Sequence, residues 1–309
     1  MNTRIAVLLA LAVALPAAPM ALAQTVNPRA TAPAQTSDEE ALALAALEGL
    51  MSAPPERALP ILKRVIFGGH STKVKERALF VLSQIDAPES QQVLIEIVKQ
   101  PDHPLRREAI RNIGIGGHAA SIAVLRDVYA SGDEKTQKWV LEAWLIADRR
   151  ADVYQAARDA KTEREADRAI QTLAAMGARE ELRKLATERT TTKSLMEAYA
   201  VSGDLESLTR IANTAPDVET RAQAVQRMGI VGSPAAKKAL RDAYLGTSDA
   251  KVKSAALQGL LVAGDQKIVL ELYRAAKTPE EKRQLMRTMS VMGGDMAIDA
   301  IDEALGGKK

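Results

Sequence analysis

The 309-residue chain has no cysteine, which excludes a disulfide framework, thiolate metal sites and thiol nucleophiles. Aromatic residues make up only 3%. The apolar content therefore rests on Ala, Leu, Ile, Val and Met, small and straight side chains that suit closely stacked helices. Neither sign of charge dominates: 42 Lys and Arg stand against 39 Asp and Glu, for a net charge of +3. The one-sided charge of a nucleic-acid binder is missing. The apolar run from Ile5 to Leu15 has 11 residues, short of the ~20 that a membrane-spanning helix needs. No stable membrane insertion is expected elsewhere.

That run does have a recognisable context. Arg4 precedes it, Pro16 and Pro19 follow, and Ala21-Leu22-Ala23 stands just before Gln24. A charged start, an apolar middle and an A-x-A site form the plan of a secretory signal peptide. Residues 1–23 are therefore expected to be removed and the protein exported, to the periplasm or otherwise to the medium. Gln24 to Ser37 is rich in Thr, Ala, Pro and Gln and reads as a flexible leader. Ser37-Asp38-Glu39-Glu40 offers an N-cap and first-turn acids where the helical domain, 38–305, begins. Residues 306–309 read as a frayed tail.

Inside the domain one sentence is written about nine times. Aligned on the first apolar residue of each odd helix, the copies start at Ala46, Ala78, Ala109, Val140, Ala169, Leu195, Ala224, Ala256 and Leu285. The intervals are 32, 31, 31, 29, 26, 29, 32 and 29 residues, room for two short helices and two turns. Four residues after each anchor come Leu50, Leu82, Ile113, Trp144, Leu173, Tyr199, Met228, Leu260 and Met289, on the same helix face as the anchor. Eight after, the column reads Asp86, Gly117, Asp148, Gly177, Gly203, Gly232, Gly264 and Gly293, residues that tolerate the left-handed helix stop. Sixteen after, Leu62, Leu94, Leu125, Ala156, Leu185, Ile211, Leu240, Leu272 and Ile301 mark a second helix. Pro55, Pro88, Pro234 and Pro279 stand where a missing N–H costs least. Glu281 is placed to complete a capping box with Thr278. At the far end, Asp295, Asp299, Asp302 and Glu303 surround Ile298, Ile301 and Leu305, the pattern of a capping helix. Ala224 to Ala256 is the best-formed copy.

The segments Val252 to Leu260 and Leu105 to Gly114, with the turn Gly232-Ser233-Pro234, resemble the HEAT-like repeat family, in the short bacterial form known from phycobilisome lyases. The resemblance covers about residues 42–305. It implies an all-α fold, a right-handed superhelical α-solenoid of about nine helix pairs, with the second helices lining the concave side. The copies at Val140 and Leu195 lack the Ala-Leu-Gly core, and the 26-residue interval after Ala169 predicts a shortened second helix there. A tetratricopeptide array is the other helix-pair reading, but its Trp-Leu-Gly-Tyr signature is absent; Trp139 and Trp144 occur in one repeat only.

No arrangement of chemistry-bearing residues emerges. His70 and His103 fall in loops between repeats and His118 in a turn within one, at opposite helix ends, so they do not converge on a metal. Gly114 to Gly117 ends a helix instead of linking a strand to one, so it is no phosphate cradle. Glu163, Glu165, Asp167, Glu180 and Glu181 read as solvated helix acids. Neither a catalytic residue, a metal nor a cofactor is expected.

What remains is surface, and two candidates stand out. Arg158, Arg183, Lys184, Arg210, Lys238, Arg241 and Arg274 fall at concave-facing positions of second helices, as the resemblance places them. They make either a solvated mixed-charge face or a groove for an acidic partner segment. In the first three repeats Ile61, Val65, Val93, Ile97, Val124 and Val128 occupy positions where later repeats carry Gln155, Asp159, Lys184, Glu188, Arg210 and Thr214. That apolar stripe is either a docking surface or packing against a neighbour. The function expected is a non-catalytic, exported scaffold that binds a protein or peptide. The alternatives are a scaffold self-associating through the apolar stripe, or a tetrapyrrole-attachment factor as the resemblance would allow.

Overall fold

The structure, a computed structural model, describes residues 38–188 and 193–306. The expected signal peptide, the leader and residues 307–309 of the tail lie outside the described residues. Eighteen α-helices are described, in nine sequence-adjacent pairs. The first helices are α1 (Asp38–Gly49), α3 (Thr72–Ser83), α5 (Arg106–Gly116), α7 (Glu134–Ile146), α9 (Glu163–Ala175), α11 (Lys193–Ser202), α13 (Val218–Val231), α15 (Ala250–Val262) and α17 (Pro279–Met292). The second helices are α2 (Pro55–Phe67), α4 (Pro88–Val98), α6 (Ala119–Ser131), α8 (Arg150–Arg158), α10 (Arg179–Glu188), α12 (Leu205–Thr214), α14 (Pro234–Leu245), α16 (Gln266–Ala275) and α18 (Asp295–Ala304). The fold is an all-α solenoid.

The sequence columns become one continuous core. From Ala78 to Leu285 every anchor is buried, and so is every residue four positions on, from Leu82 to Met289. Short helices of 9 to 14 residues are marginal alone and are held by packing of that face. The turns follow from the column eight residues after the anchor: Gly117, Gly177, Gly203, Gly232, Gly264 and Gly293 all have φ between 61° and 73°, and Asp148 has φ 48°. Asp86 is the exception, where the chain runs through extended Ala87 into Pro88. Caps fall where expected: Ser233 accepts from the Ala236 N–H and Thr278 from that of Glu281. The capping box is only half made, because the Glu281 carboxylate pairs instead with Lys253 Nζ at 2.5 Å.

Two expectations change. First, the short interval after Ala169 is not a shortened α10, which has ten residues like α12 and α16. Leu195 lies two residues after Lys193, the first described residue of α11, whereas Ala169 lies six into α9. Second, α18 buries Ala297 and Ala300 and leaves Ile298, Ile301 and Leu305 exposed, so its large apolar residues face outward. The first helices approach one another in an unbroken row from α1 to α17, while the second helices are loosest at α6/α8, α10/α12 and α12/α14. Glycine allows the tight row. A Cβ on Gly114 would stand 2.7 Å from the Ala143 carbonyl oxygen, and one on Gly229 would collide with the Gly259 backbone. The first helices are thus the more closely packed of the two rows.

Candidate interaction surfaces

The basic row on the second helices is largely consumed within the chain. Arg183 grips the buried carboxylate of Asp204 in the next repeat with two hydrogen bonds, Nε to Oδ2 at 2.7 Å and Nη2 to Oδ1 at 2.6 Å, and also reaches Glu206. Burial alone would push the Asp204 carboxyl up. The Arg183 guanidinium and the Ser207 hydroxyl and N–H outweigh it and hold the group below its ordinary value. Arg158 turns onto Asp159 at 3.0 Å and Lys238 onto Asp242 at 2.8 Å. Arg241 lies between Asp242 and Glu271, and Arg274 reaches Glu303 at 3.2 Å. Lys184 sits 4.8 Å above the Tyr154 ring. Arg210 and Lys184 are exposed and without an ion pair among the described residues. Adjacent acids neutralise the other five, so most of the row is not a groove of free cations for an acidic segment.

The apolar stripe is not a surface either. Val93, Ile97 and Val128 are buried, and Ile61, Val65 and Val124 are half-buried. They fill the seams between second helices in the first three repeats. Where Gln155 and Asp159 replace them, between α6 and α8, the seam opens.

A row that sequence reading overlooked lies on the first helices. Six residues after the anchor stand Ile115, Ile146, Val201, Ile230, Val262 and Val291, all between 43% and 71% exposed. β-Branched residues are indifferent helix formers, so neither propensity nor burial accounts for them. They recur in six of the nine repeats at one register position, where Ser52, Gln84 and Ala175 stand in the other three. The adjacent column, two after the anchor, is polar apart from Phe80, and Gln226 donates to Gln258 Oε1 at 2.9 Å across the repeat boundary. Together the columns make a first-helix face of alternating apolar and amide or charged rows. The anchor alignment contained this column, but exposure is not written in a sequence.

The open seam is a cleft of about 470 Å³ between α6 and α8, floored by α7. Its walls include Tyr129 and Trp144, whose rings lie 5.2 Å apart. Trp144 is 2% exposed, and neither its Nε1 nor the Tyr129 hydroxyl has a hydrogen-bond partner within the protein. Burial, with Glu165 nearby, pushes the Tyr129 phenol up, so it stays protonated. At the rim, hydrogen bonds from Gln155 and then Arg158 hold Asp159 below the ordinary range, and the Lys161 N–H does the same for Glu165. One side of the cleft is fixed by Asp152, which accepts from Arg126 Nε at 2.5 Å and Arg149 Nε at 2.7 Å. The isolated Trp139–Trp144 pair was the one sequence signal pointing here.

His103 stacks edge-on against Phe67 and accepts from the Leu105 N–H through Nδ1, while His118 precedes α6 and His70 lies between α2 and α3. Among the described residues no group of three or more His, Asp or Glu could hold a metal, and no helix is long and apolar enough to cross a membrane.

Residues 66–145, spanning α3 to α7 and the end of α2, match the family model for HEAT repeats. That stretch of the chain carries HEAT repeats. Among solved structures, it is similar to a chain in the complex of CpcE and CpcF of phycocyanin lyase from Nostoc sp. PCC7120, at 16% identity, over 78% of this chain and 96% of that one, with a TM-score of 0.33. A computationally designed self-assembling cyclic homooligomer matches at 15% identity over 87% of this chain and all of its own, with a TM-score of 0.14. At those TM-scores neither likeness carries an argument about activity. Comparison with curated proteins found no match. HEAT repeats suggest a protein-interaction scaffold.

Proposed function

We propose that the protein is a non-catalytic scaffold, exported as its amino-terminal pattern indicates, that binds a protein or peptide partner along the face formed by its first helices, which we take as the inner side because that row packs more closely. The observation that supports this reading is the exposed apolar row from Ile115 to Val291, present in six of the nine repeats beside a mostly polar column. Aligned apolar side chains that packing leaves uncovered mark a contact surface. The amide and charged residues two positions after each anchor, such as Gln171, Glu197, Gln226 and Gln258, would satisfy the polar backbone of whatever lies across them. The self-associating alternative loses the surface it was built on, because the stripe from Ile61 to Val128 is packed into the seams.

The test is site-specific photocrosslinking in the native cell. Crosslinkers at Ile146, Val201 and Val262 should each give the same adduct, and one at exposed Glu206 on α12 should not. A Val201→Lys change should abolish the adduct at Ile146. Equal adducts from both faces, or none from the inner row, would overturn the proposal; an adduct of twice the chain mass would replace it by self-association.

A further inference from the structure

The cleft between α6 and α8 faces the opposite side from the inner row, and we infer that it is a separate binding site for a short peptide segment that presents a neutral carbonyl beside a lysine or arginine. The carbonyl is required by the two buried groups at its walls. An indole N–H is a donor only, and leaving Trp144 Nε1 and the Tyr129 hydroxyl without partners in a buried place costs the desolvation of both. An oxygen acceptor drawn into the cleft against these walls would relieve that cost. The volume, about 470 Å³, lies within the range of pockets that enclose small ligands.

Charge decides which acceptor. The lining carries four carboxylates, Asp127, Asp152, Asp159 and Glu165, against Arg126 and Lys161. Arg126 and, from outside the lining, Arg149 are committed to Asp152, and Arg158 to Asp159. Lys161 is then the one remaining lining cation, opposed by Glu165 and by Asp127, which makes no ion pair among the described residues. An anionic acceptor would meet that surplus of carboxylate, whereas a neutral amide would not. A cation attached to the amide would find Asp127 at the exposed edge of α6. A peptide backbone with a basic side chain supplies both parts, and the aromatic walls cover its aliphatic stem. The seam is built to be open: the apolar fillers of the first three repeats are replaced here by Gln155 and Asp159.

The site is tested by titrating the full chain with an acetylated, amidated Lys-Ala-Lys tripeptide, followed by calorimetry, with Glu-Ala-Glu as the opposed probe. Saturable binding of the lysine peptide is expected, at least ~10-fold tighter than the glutamate peptide and weakening as salt rises. Asp127→Asn, at an exposed position, and Tyr129→Phe should each weaken it roughly 5-fold, the loss of one hydrogen bond or rim charge. Tyr129→Phe should leave the melting temperature unchanged or raise it, since that hydroxyl has no partner in the protein to lose and its removal ends an unsatisfied buried group. A wild-type chain that binds neither tripeptide at millimolar concentration, binds both equally, or binds as well after both substitutions overturns the site. None of these outcomes bears on crosslinking from the inner row, so the two proposals fail separately.

Discussion

The seams between second helices are built in two ways along the same chain. In the first three repeats Ile61, Val65, Val93, Ile97, Val124 and Val128 fill them, and α2, α4 and α6 touch. From the fourth repeat the same register carries Gln155, Asp159, Lys184, Glu188, Arg210 and Thr214, and the contact passes to arginine–carboxylate clamps, Arg126 on Asp152 and Arg183 on Asp204. The first helices stay close throughout, because Ala and Gly line them. A solenoid needs only one continuous row for cohesion. The other row is then free to be apolar and closed, or polar and open, and the cleft sits at the first place where it changes.

Breaking the closed seam should have the largest effect. Ile97→Ala empties a fully buried position and should cost about 3 kcal/mol, whereas Thr214→Ala, in the same register four repeats on, should stay within about 0.5 kcal/mol. Urea unfolding of the two variants measures the contrast; equal costs would mean that the seams do not differ. Removing a clamp comes next. Arg183→Ala leaves the buried Asp204 carboxylate without its cation, and should cost about 2 kcal/mol, below the ~3–5 kcal/mol of a fully buried pair because Arg183 is 40% exposed. Because the folded Asp204 pKa lies below its ordinary value, this stability is present above the unfolded pKa, near 4, and is lost as pH falls through the folded one. The wild-type advantage over Arg183→Ala should therefore hold at pH 7 and shrink below about pH 4. A difference that grows on acidification would refute the clamp.

How much of this was legible beforehand depends on what each residue's signal is made of. The core was legible, since Ala78, Leu82 and Leu94 repeat with helical period and burial is what selects them. The helix stops were legible too, because Gly232 and its equivalents answer to local backbone sterics. The clamps were not: Arg183 and Asp204 are 21 residues apart, and nothing local distinguishes an arginine that grips the next repeat from one facing solvent. Val93 and Ile97 looked like a surface for the same reason, since whether an apolar position is covered depends on the neighbouring helix. Ile301 kept its column but not its burial, because a column says nothing about what covers it.

Converting one seam into the other is a milder change. Gln155→Ile with Asp159→Val restores at α8 the residue types that close the seam in the preceding repeats. Stability should rise by up to about 1 kcal/mol, one or two methylenes' worth of burial, offset by the lost Arg158 pair, which is exposed and contributes little. Binding of the lysine tripeptide should disappear. A doubly substituted chain that melts lower and still binds would mean that the polar residues are structural and that the cleft is not their purpose.

The smallest effect is expected at Asp148, where the fourth repeat departs from the glycine column. Its φ of 48° is one that a residue with a Cβ adopts at a cost of about 1 kcal/mol relative to glycine, so Asp148→Gly relieves strain in the folded state. Glycine also widens the unfolded ensemble, which returns part of that gain, and the Asp148–Arg150 contact at 2.9 Å is lost, though both side chains are exposed and the pair contributes little. The net should be a stabilisation of a few tenths of a kcal/mol, read as a slightly higher urea midpoint at unchanged slope. The reciprocal change, Gly232→Asp, places the same strain in the best-formed repeat without an arginine two residues on, and should lower the midpoint by more than Asp148→Gly raises it. If the two shifts were equal and opposite, backbone strain alone would govern the turn and the Arg150 contact would contribute nothing.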